Sequence, residues 1–411
     1  MRSARLSRDE IEKKRAAKSV SFLLTGGTGF LGSHIAAALL RRGYRVFLLA
    51  RPGKGLSAED RVELFLNWFG LPAEARTGLK VIEGEITRQG MAIDAADLRK
   101  ALEETDEIIH CASSTSFSER KRTAVEAVNI GGLAEVLSFA RNSRAYFFHH
   151  LSTAYIAGRI SGICPEEPVA ALDFHNVYEE TKSQGERMAS TACRESGLGL
   201  TIYRPSIVYG DSRTGRSLLF NAVYYPVRTA LFMKDLYEKD IRERGGKKAG
   251  EMGVRIEADG RTYLPLRIEV AGSGGLDLVP VDYFTEAFLA LWEESLAGGI
   301  FHIVSGRAKR IEEIIDYGSR LFRLTGIRAC AREEFLRIPK NPLEMLYESY
   351  VDAYGPYMTD ARIFDTSKSR PILGRRKLVC PDFDYDVFTK CMTFAVEAGW
   401  GSRLFDANTV R

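Results

Sequence analysis

SVSFLLTGGTGFLGSHIAAALLRRGYRVFLLAR, residues 19–51, decides the fold. SVSFLLTG is a short apolar run that reads as a strand, SHIAAALLRRG has the apolar spacing of a helix, and YRVFLLAR returns to a strand. Between the first strand and the helix stands TGGTGFLG, with Gly26, Gly29 and Gly32 three residues apart. Gly26 permits a tight turn, Gly29 lets backbone approach a pyrophosphate, and Gly32 lets the helix pack against the strand with its positive end toward the phosphates. A lone glycine pattern is weak evidence. In this strand, turn, helix, strand setting it predicts a dinucleotide site lined by Gly26, Thr28, Gly29, Phe30, Leu31 and Gly32.

Outward from that stretch the rhythm repeats. A helix around Arg61 to Phe69, the strands LKVIEGE and EIIHCA, a helix over Val125 to Arg141, the strand AYFFHHLS, a helix after Tyr178 and the strand LGLTIYRPSIVYG give about six strands separated by helices. The predicted class is α/β: a Rossmann-type doubly wound parallel sheet with a smaller C-terminal substrate-binding region. Residues 1–19 read as a basic tail, 20–210 as the NADP-binding Rossmann domain with the catalytic residues, and 211–411 as an insertion and C-terminal region with one further strand near 300–306. Within the insertion, the charged, glycine-bearing stretch Lys239 to Arg255 reads as a mobile loop or a lid over substrate. Asn341 to Trp400 is rich in Tyr, Phe and Pro without a clean period.

The chain has 411 residues, 45% of them apolar, enough for a large core. Its net charge of +4 argues against nucleic acid as a partner. Residues 1–20 carry that charge, with seven basic residues (Arg2 to Lys18) against three acidic ones. The tail lacks the apolar stretch of a secretory signal and no later segment offers about 18 uncharged apolar residues, so a cytoplasmic location is expected. The tail itself reads as a frayed, solvated helix; with Leu218 to Phe232, the alternative is peripheral contact with an anionic membrane. The six cysteines form no CxxC pair and no zinc-ligand spacing, so reduced structural thiols and no metal are expected.

Two clusters carry the chemistry. The second strand ends on Ala50 and Arg51, 19 residues beyond Gly32, where a carboxylate would favour NAD; a guanidinium there favours the 2′-phosphate of NADP, with Lys54 as a candidate assistant. Tyr178 and Lys182 lie four apart at the start of a helix and so share one face, where an ammonium ion lowers a phenol's pKa from about 10. Ser152 and Thr153 end the strand AYFFHHLS, where a hydroxyl can hold a carbonyl oxygen. His149 and His150 read as strand residues.

TGGTGFLG, HCASS, Asn129 in AVNIGG, STAY, YEETK, YRPSIVYG and LVPVDY resemble, in order, the motifs of extended short-chain dehydrogenase/reductases over about Val20 to Gly306. HCASSTSF, STAY and LVPVDYF look most like the fatty acyl-CoA reductase and thioester reductase branch. The resemblance implies a catalytic set of Thr153, Tyr178 and Lys182, with Ser152 as the alternative hydroxyl and Lys182 also on the nicotinamide ribose. It further implies Glu85, in place of the usual Asp, at the adenine; Cys111, Ala112 and Ser113 along the cofactor; Asn129 supporting the central strands or relaying protons; and Pro205 and Ser206 beside the nicotinamide. The implied activity is NADPH-dependent reduction of an acyl thioester or aldehyde, a small-molecule acyl or carbonyl substrate whose carrier and chain length the motifs leave open. Two other readings stay open: a sugar-nucleotide epimerase or dehydratase on the same triad, and a non-catalytic NADP-sensing protein. No oligomeric state can be read.

Overall fold

The computed structural model describes residues 6–53, 55–160, 162–169, 173–270, 275–358 and 360–405. Lys54 and Arg2, named above, lie outside the described residues.

After helix α1 (Arg8–Ala16), the glycine-bearing stretch forms β1 (Ser21–Thr25), α2 (Phe30–Arg41) and β2 (Arg45–Ala50). The pattern continues with α3 (Ala58–Trp68), β3 (Leu79–Glu83), β4 (Glu107–His110), α4 (Leu133–Asn142), β5 (Phe147–Leu151), α5 (Val177–Ser196) and β6 (Gly199–Pro205). Every residue of β1, β4 and β5 is buried, as expected of central strands of a parallel sheet covered on both faces. The sheet also takes in Gly299–Ile303, all seven strands are parallel, and the order reverses between β1 and β4. That reversal opens a crevice beyond the C-terminal strand ends, the ligand position of such sheets.

Two stretches depart from expectation. The tail is not a solvated helix: α1 is fixed by a capping box on Ser7, and Arg15 is 5% exposed with its Nε 2.9 Å from Glu107 Oε1. Lys14 pairs with Asp106 at 2.7 Å. Nor is the segment after Lys239 a loop. A long helix, α6 (Tyr224–Arg244), runs through it and a short one (Lys247–Glu251) folds back after Gly245 and Gly246, both at positive φ. Buried Ala230, Met233, Tyr237 and Ala249 supply the apolar face that the flanking charges obscure.

The C-terminal half builds a cap over the crevice. β7 (Ile207–Tyr209) pairs in parallel with β9 (Leu276–Pro280), and β8 (Thr262–Val270) with β11 (Leu324–Ala331); β10 is the Gly299–Ile303 strand of the main sheet. α7 (Val281–Glu294) packs on the main sheet, where Trp292 meets Phe22 and Tyr44 edge-on at 5.4 and 5.3 Å. α8 (Ile311–Phe322), α9 (Pro342–Val351) and α10 (Tyr385–Glu397) complete the cap; α9 starts on a capping box at Asn341, inside the stretch without a readable period. Residues 119–142 form one helical run long and apolar enough to cross a membrane, but here Val125, Leu133, Val136 and Phe139 are buried in the protein.

Candidate active site

At the end of β1 the chain turns through Gly26 at φ 74°, and Gly29 caps α2 with no side chain on its free N–H groups. A Cβ on Gly26 would stand 2.5 Å from the Ala112 nitrogen, and one on Gly32 only 2.3 Å from the Gly26 oxygen. These glycines therefore hold the turn against both the β4 loop and its own helix, leaving the N-terminus of α2 open to an anion. A groove of about 1250 Å³ runs from there, lined by Thr28, Gly29, Phe30, Arg51, Arg61, Glu85 and Arg88. Leu31 is not part of that lining and packs on the main core instead.

Arg51 pairs with Glu85 at 2.9 Å, which holds the Glu85 carboxyl below its ordinary value despite partial burial. Arg61 was not singled out in the sequence. Its guanidinium donates to the Arg51 carbonyl and to Thr28 Oγ1 (3.3 Å), and burial and the Arg51 charge both push its pKa down. Two guanidiniums converging at a groove wall suit an anion with several oxygens, such as a 2′-phosphate. The glycine turn, the open helix end and these arginines fit a dinucleotide.

Beyond the groove, Thr153 and Tyr178 line a second cavity that shares Leu219 and Asn221 with it. Thr153 follows β5, accepts from the Tyr155 N–H at 3.3 Å, donates to the Pro205 carbonyl at 3.4 Å and lines that cavity with Tyr178. Tyr178 opens α5, whose N-cap Asn176 accepts from the Glu179 N–H at 3.1 Å. Lys182, one turn on, is 5% exposed and donates to the Leu151 carbonyl. Burial lowers its ammonium to about 8, against the raising effects of Cys111 and Glu186. The expected lowering of Tyr178 does not occur: burial pushes the phenol up, and the Lys182 ammonium is turned to the backbone of β5. Tyr178 is thus a protonated donor at neutral pH. Ser152 is buried with no protein partner among the described residues, and Thr153 alone of the two hydroxyls faces Tyr178 in the cavity below.

Asn129 sits in a π-helical turn (127–132), accepts from Ser113 Oγ (3.0 Å) and the Ser114 N–H (2.7 Å), and donates to the Ser114 carbonyl (3.1 Å) and Thr181 Oγ1 (2.9 Å). Its side chain ties the loop after β4 to α5. Ala112 backs the glycine turn, and Pro205 ends β6 against Thr153. Ser206 faces the substrate side and donates to Asp277 Oδ1 at 2.5 Å.

From Thr153 and Tyr178 an apolar cavity of about 240 Å³ leads into the cap. Phe117 and Tyr357 stack at 5.3 Å beside Tyr178, and Val227, Ala230, Leu266, Ile314 and Leu324 continue the wall. Tyr357 is fixed by its hydroxyl, 2.8 Å from both Glu179 Oε1 and Asn176 Nδ2. It lies 179 residues from Tyr178 in a stretch without periodicity, so no local signal marks it. The six cysteines are free thiols, and no group of three potential metal ligands occurs among the described residues.

The doubly wound sheet, the glycine turn and the set of Thr153, Tyr178 and Lys182 define an extended short-chain dehydrogenase/reductase. A family model described as male sterility protein, an NAD-binding domain, matches residues 24–288, and the chain belongs to that family. The chain is 27% identical over 246 residues to fatty acyl-CoA reductase wat of Drosophila melanogaster (51% of this chain, 47% of the relative). It is 28% identical over 224 residues to fatty acyl-CoA reductase 2 of Homo sapiens (46% and 43%), so the match spans about half the length of these relatives. Among solved structures, the terminal R domain of the myxalamid PKS-NRPS pathway superposes with TM-score 0.70 at 22% identity (93% of this chain, 91% of that chain). UDP-glucuronic acid 4-epimerase of Bacillus cereus, in complex with NAD, does so with TM-score 0.63 at 17% identity (94% and 99%). Both likenesses are of fold.

Proposed function

We propose that this protein is an NADPH-dependent reductase of fatty acyl thioesters or aldehydes. The observation that carries this is the apolar cavity opening at Thr153 and Tyr178, walled by aliphatic and aromatic side chains deep into the cap. The curated relatives named fatty acyl-CoA reductases support the same reading.

Bound NADPH supplies the hydride. Gly26, Gly29 and Gly32 would receive its pyrophosphate, Arg51 and Arg61 its 2′-phosphate, and Lys182 its nicotinamide ribose. Thr153 and Tyr178 donate hydrogen bonds to the oxygen that becomes negative at the reacting carbonyl. Tyr178, kept protonated by burial, gives that oxygen its proton when an aldehyde becomes an alcohol. From a thioester, the hemithioacetal collapses to aldehyde and free thiol. Phe117 and Tyr357 exclude water from the reacting carbon while the cavity holds the chain.

A nucleotide-sugar epimerase or dehydratase is the second reading, favoured by the shared fold of the Bacillus cereus epimerase. A wall of Val, Leu and Ile offers a sugar ring few hydrogen bonds, which counts against it. The experiment is loss of absorbance of NADPH or NADH with acyl-CoAs, fatty aldehydes and UDP-sugars, run beside Tyr178→Phe. We expect NADPH loss with an acyl substrate, reduced about 10²- to 10⁴-fold by the substitution. Conversion of a UDP-sugar with no net cofactor loss would replace this reading. Biological activity unaffected by Tyr178→Phe would point to a non-catalytic role.

A further inference from the structure

Near Lys182 stands a buried side chain that the proposed mechanism leaves unused. His150 lies on β5 immediately before Leu151, whose carbonyl takes the lysine ammonium. It is 2% exposed, and neither ring nitrogen has a hydrogen-bond partner among the described residues. A buried imidazole left with two unmet polar atoms is costly and calls for an explanation. Its position is built rather than incidental. Across adjacent strands Thr25 registers with His110 and His110 with His150; the two imidazoles stack at 5.7 Å, and His110 Nδ1 lies 2.9 Å from Thr25 Oγ1. On the far side α5 presents Gly185, three residues after Lys182, where a Cβ would come to 3.6 Å from His150 Nε2. The ring thus packs against α5 one turn beyond the lysine.

The groups facing Lys182 are His110 and Cys111 from β4 and its following loop, His150 from β5, and Tyr178 and Glu186 from its own helix. Burial keeps both histidines neutral and the Cys111 thiol protonated, and Glu186 is already bonded to Arg204 at 2.9 and 2.7 Å. A neutral imidazole has one accepting and one donating nitrogen, and an ammonium has three N–H donors, of which the Leu151 carbonyl takes one. A single water between them would satisfy both sides.

We propose that His150 is a positioning residue for Lys182: through one buried water it fixes the direction of the lysine side chain and holds it in the ammonium form. This rests on the reductase reading for its kinetic consequence and on the fold alone for its geometry. The test has two arms. Crystals of the protein at high resolution are expected to show an ordered water within hydrogen-bond distance of a His150 ring nitrogen and of Lys182 Nζ. A dry site, or ring nitrogens bonded to other groups, overturns the proposal.

In the second arm the pH dependence of kcat is compared for wild type, His150→Leu and His150→Asn. Leucine removes the polar partner, so the alkaline limb should move down by about one pH unit, with kcat near pH 8 lowered about fivefold, KM unchanged and Tm not reduced. Asparagine, which can still accept from the water, should restore most of the wild-type profile. An unmoved limb in His150→Leu leaves only a structural role and overturns the proposal. Should the wild type fail to oxidise NADPH with every acyl substrate tried, the reductase reading fails by itself and the crystallographic arm decides on His150.

Discussion

Arg61 projects from the first turns of α3 to the Arg51 carbonyl and the Thr28 hydroxyl, so that one side chain braces the second strand's end and the glycine turn together. If both arginines meet the 2′-phosphate, Arg61→Ala should raise KM for NADPH about 10- to 100-fold and leave KM for NADH nearly unchanged, since a charge-assisted hydrogen bond is worth about 1.5–3 kcal/mol. Steady-state kinetics with the two cofactors checks this. Lys182 sets a second expectation. Its pKa is depressed to about 8 by burial, so the ammonium is present below that pH and lost as the pH rises through it. kcat should fall above about pH 8 with KM for the acyl substrate little changed, unlike the behaviour of an unperturbed lysine near 10.4. Thr153, Tyr178 and Lys182 were legible because strand-end and i,i+4 patterns are local. Arg61, His150 and Tyr357 were not: one reads as a surface position of an amphipathic helix, one as a strand residue, and one gains its place only through chain packing 179 residues away.

At the level of elements, helix α1 is locked to the sheet by a fully buried ion pair, Arg15 with Glu107, beside the partly exposed pair of Lys14 with Asp106. Burial alone would raise the Glu107 carboxyl, but Arg15 and the His149 N–H hold it at about 2. Trp292 Nε1 adds a bond of 2.7 Å and Tyr146 one of 3.1 Å. Breaking a buried pair from one side leaves a charge without compensation, so Arg15→Ala should destabilise by about 3–5 kcal/mol in urea unfolding. The pH dependence has a definite sign. Glu107 is depressed in the fold, so its contribution is full above the ordinary 4.5 and lost as pH falls toward 2; in Arg15→Ala this acid-side loss should shrink or reverse. The sequence hid this contact because seven basic residues in the first 20 read as a solvated tail, and nothing local says that one of them meets a buried glutamate 92 residues on. The same limit applies to α6, where flanking charges outweighed an apolar stripe whose partners, Leu264 and Leu324, lie in distant strands.

The whole molecule divides its labour between a sheet that was readable, because each βαβ step is local, and a cap that was not. The cap pairs β8 with β11 across some 60 residues and brings α6, α8 and α9 around one cavity. That division predicts where substrate range is set. On the proposed reading, Thr153 and Tyr178 at the sheet hold the reacting end, and cap residues such as Ala230, Leu266 and Leu324 should set the length of chain admitted. Ala230 is buried on α6 and lines the cavity, so Ala230→Phe should fill space that a long chain would use without touching the catalytic hydroxyls. Each methylene removed from water is worth about 0.8 kcal/mol, so excluding three or four should lower kcat/KM for long-chain substrates about 10²-fold and spare short ones. Rates measured over a series of acyl lengths check this, and a uniform loss at every length would show that the cavity does not hold the chain.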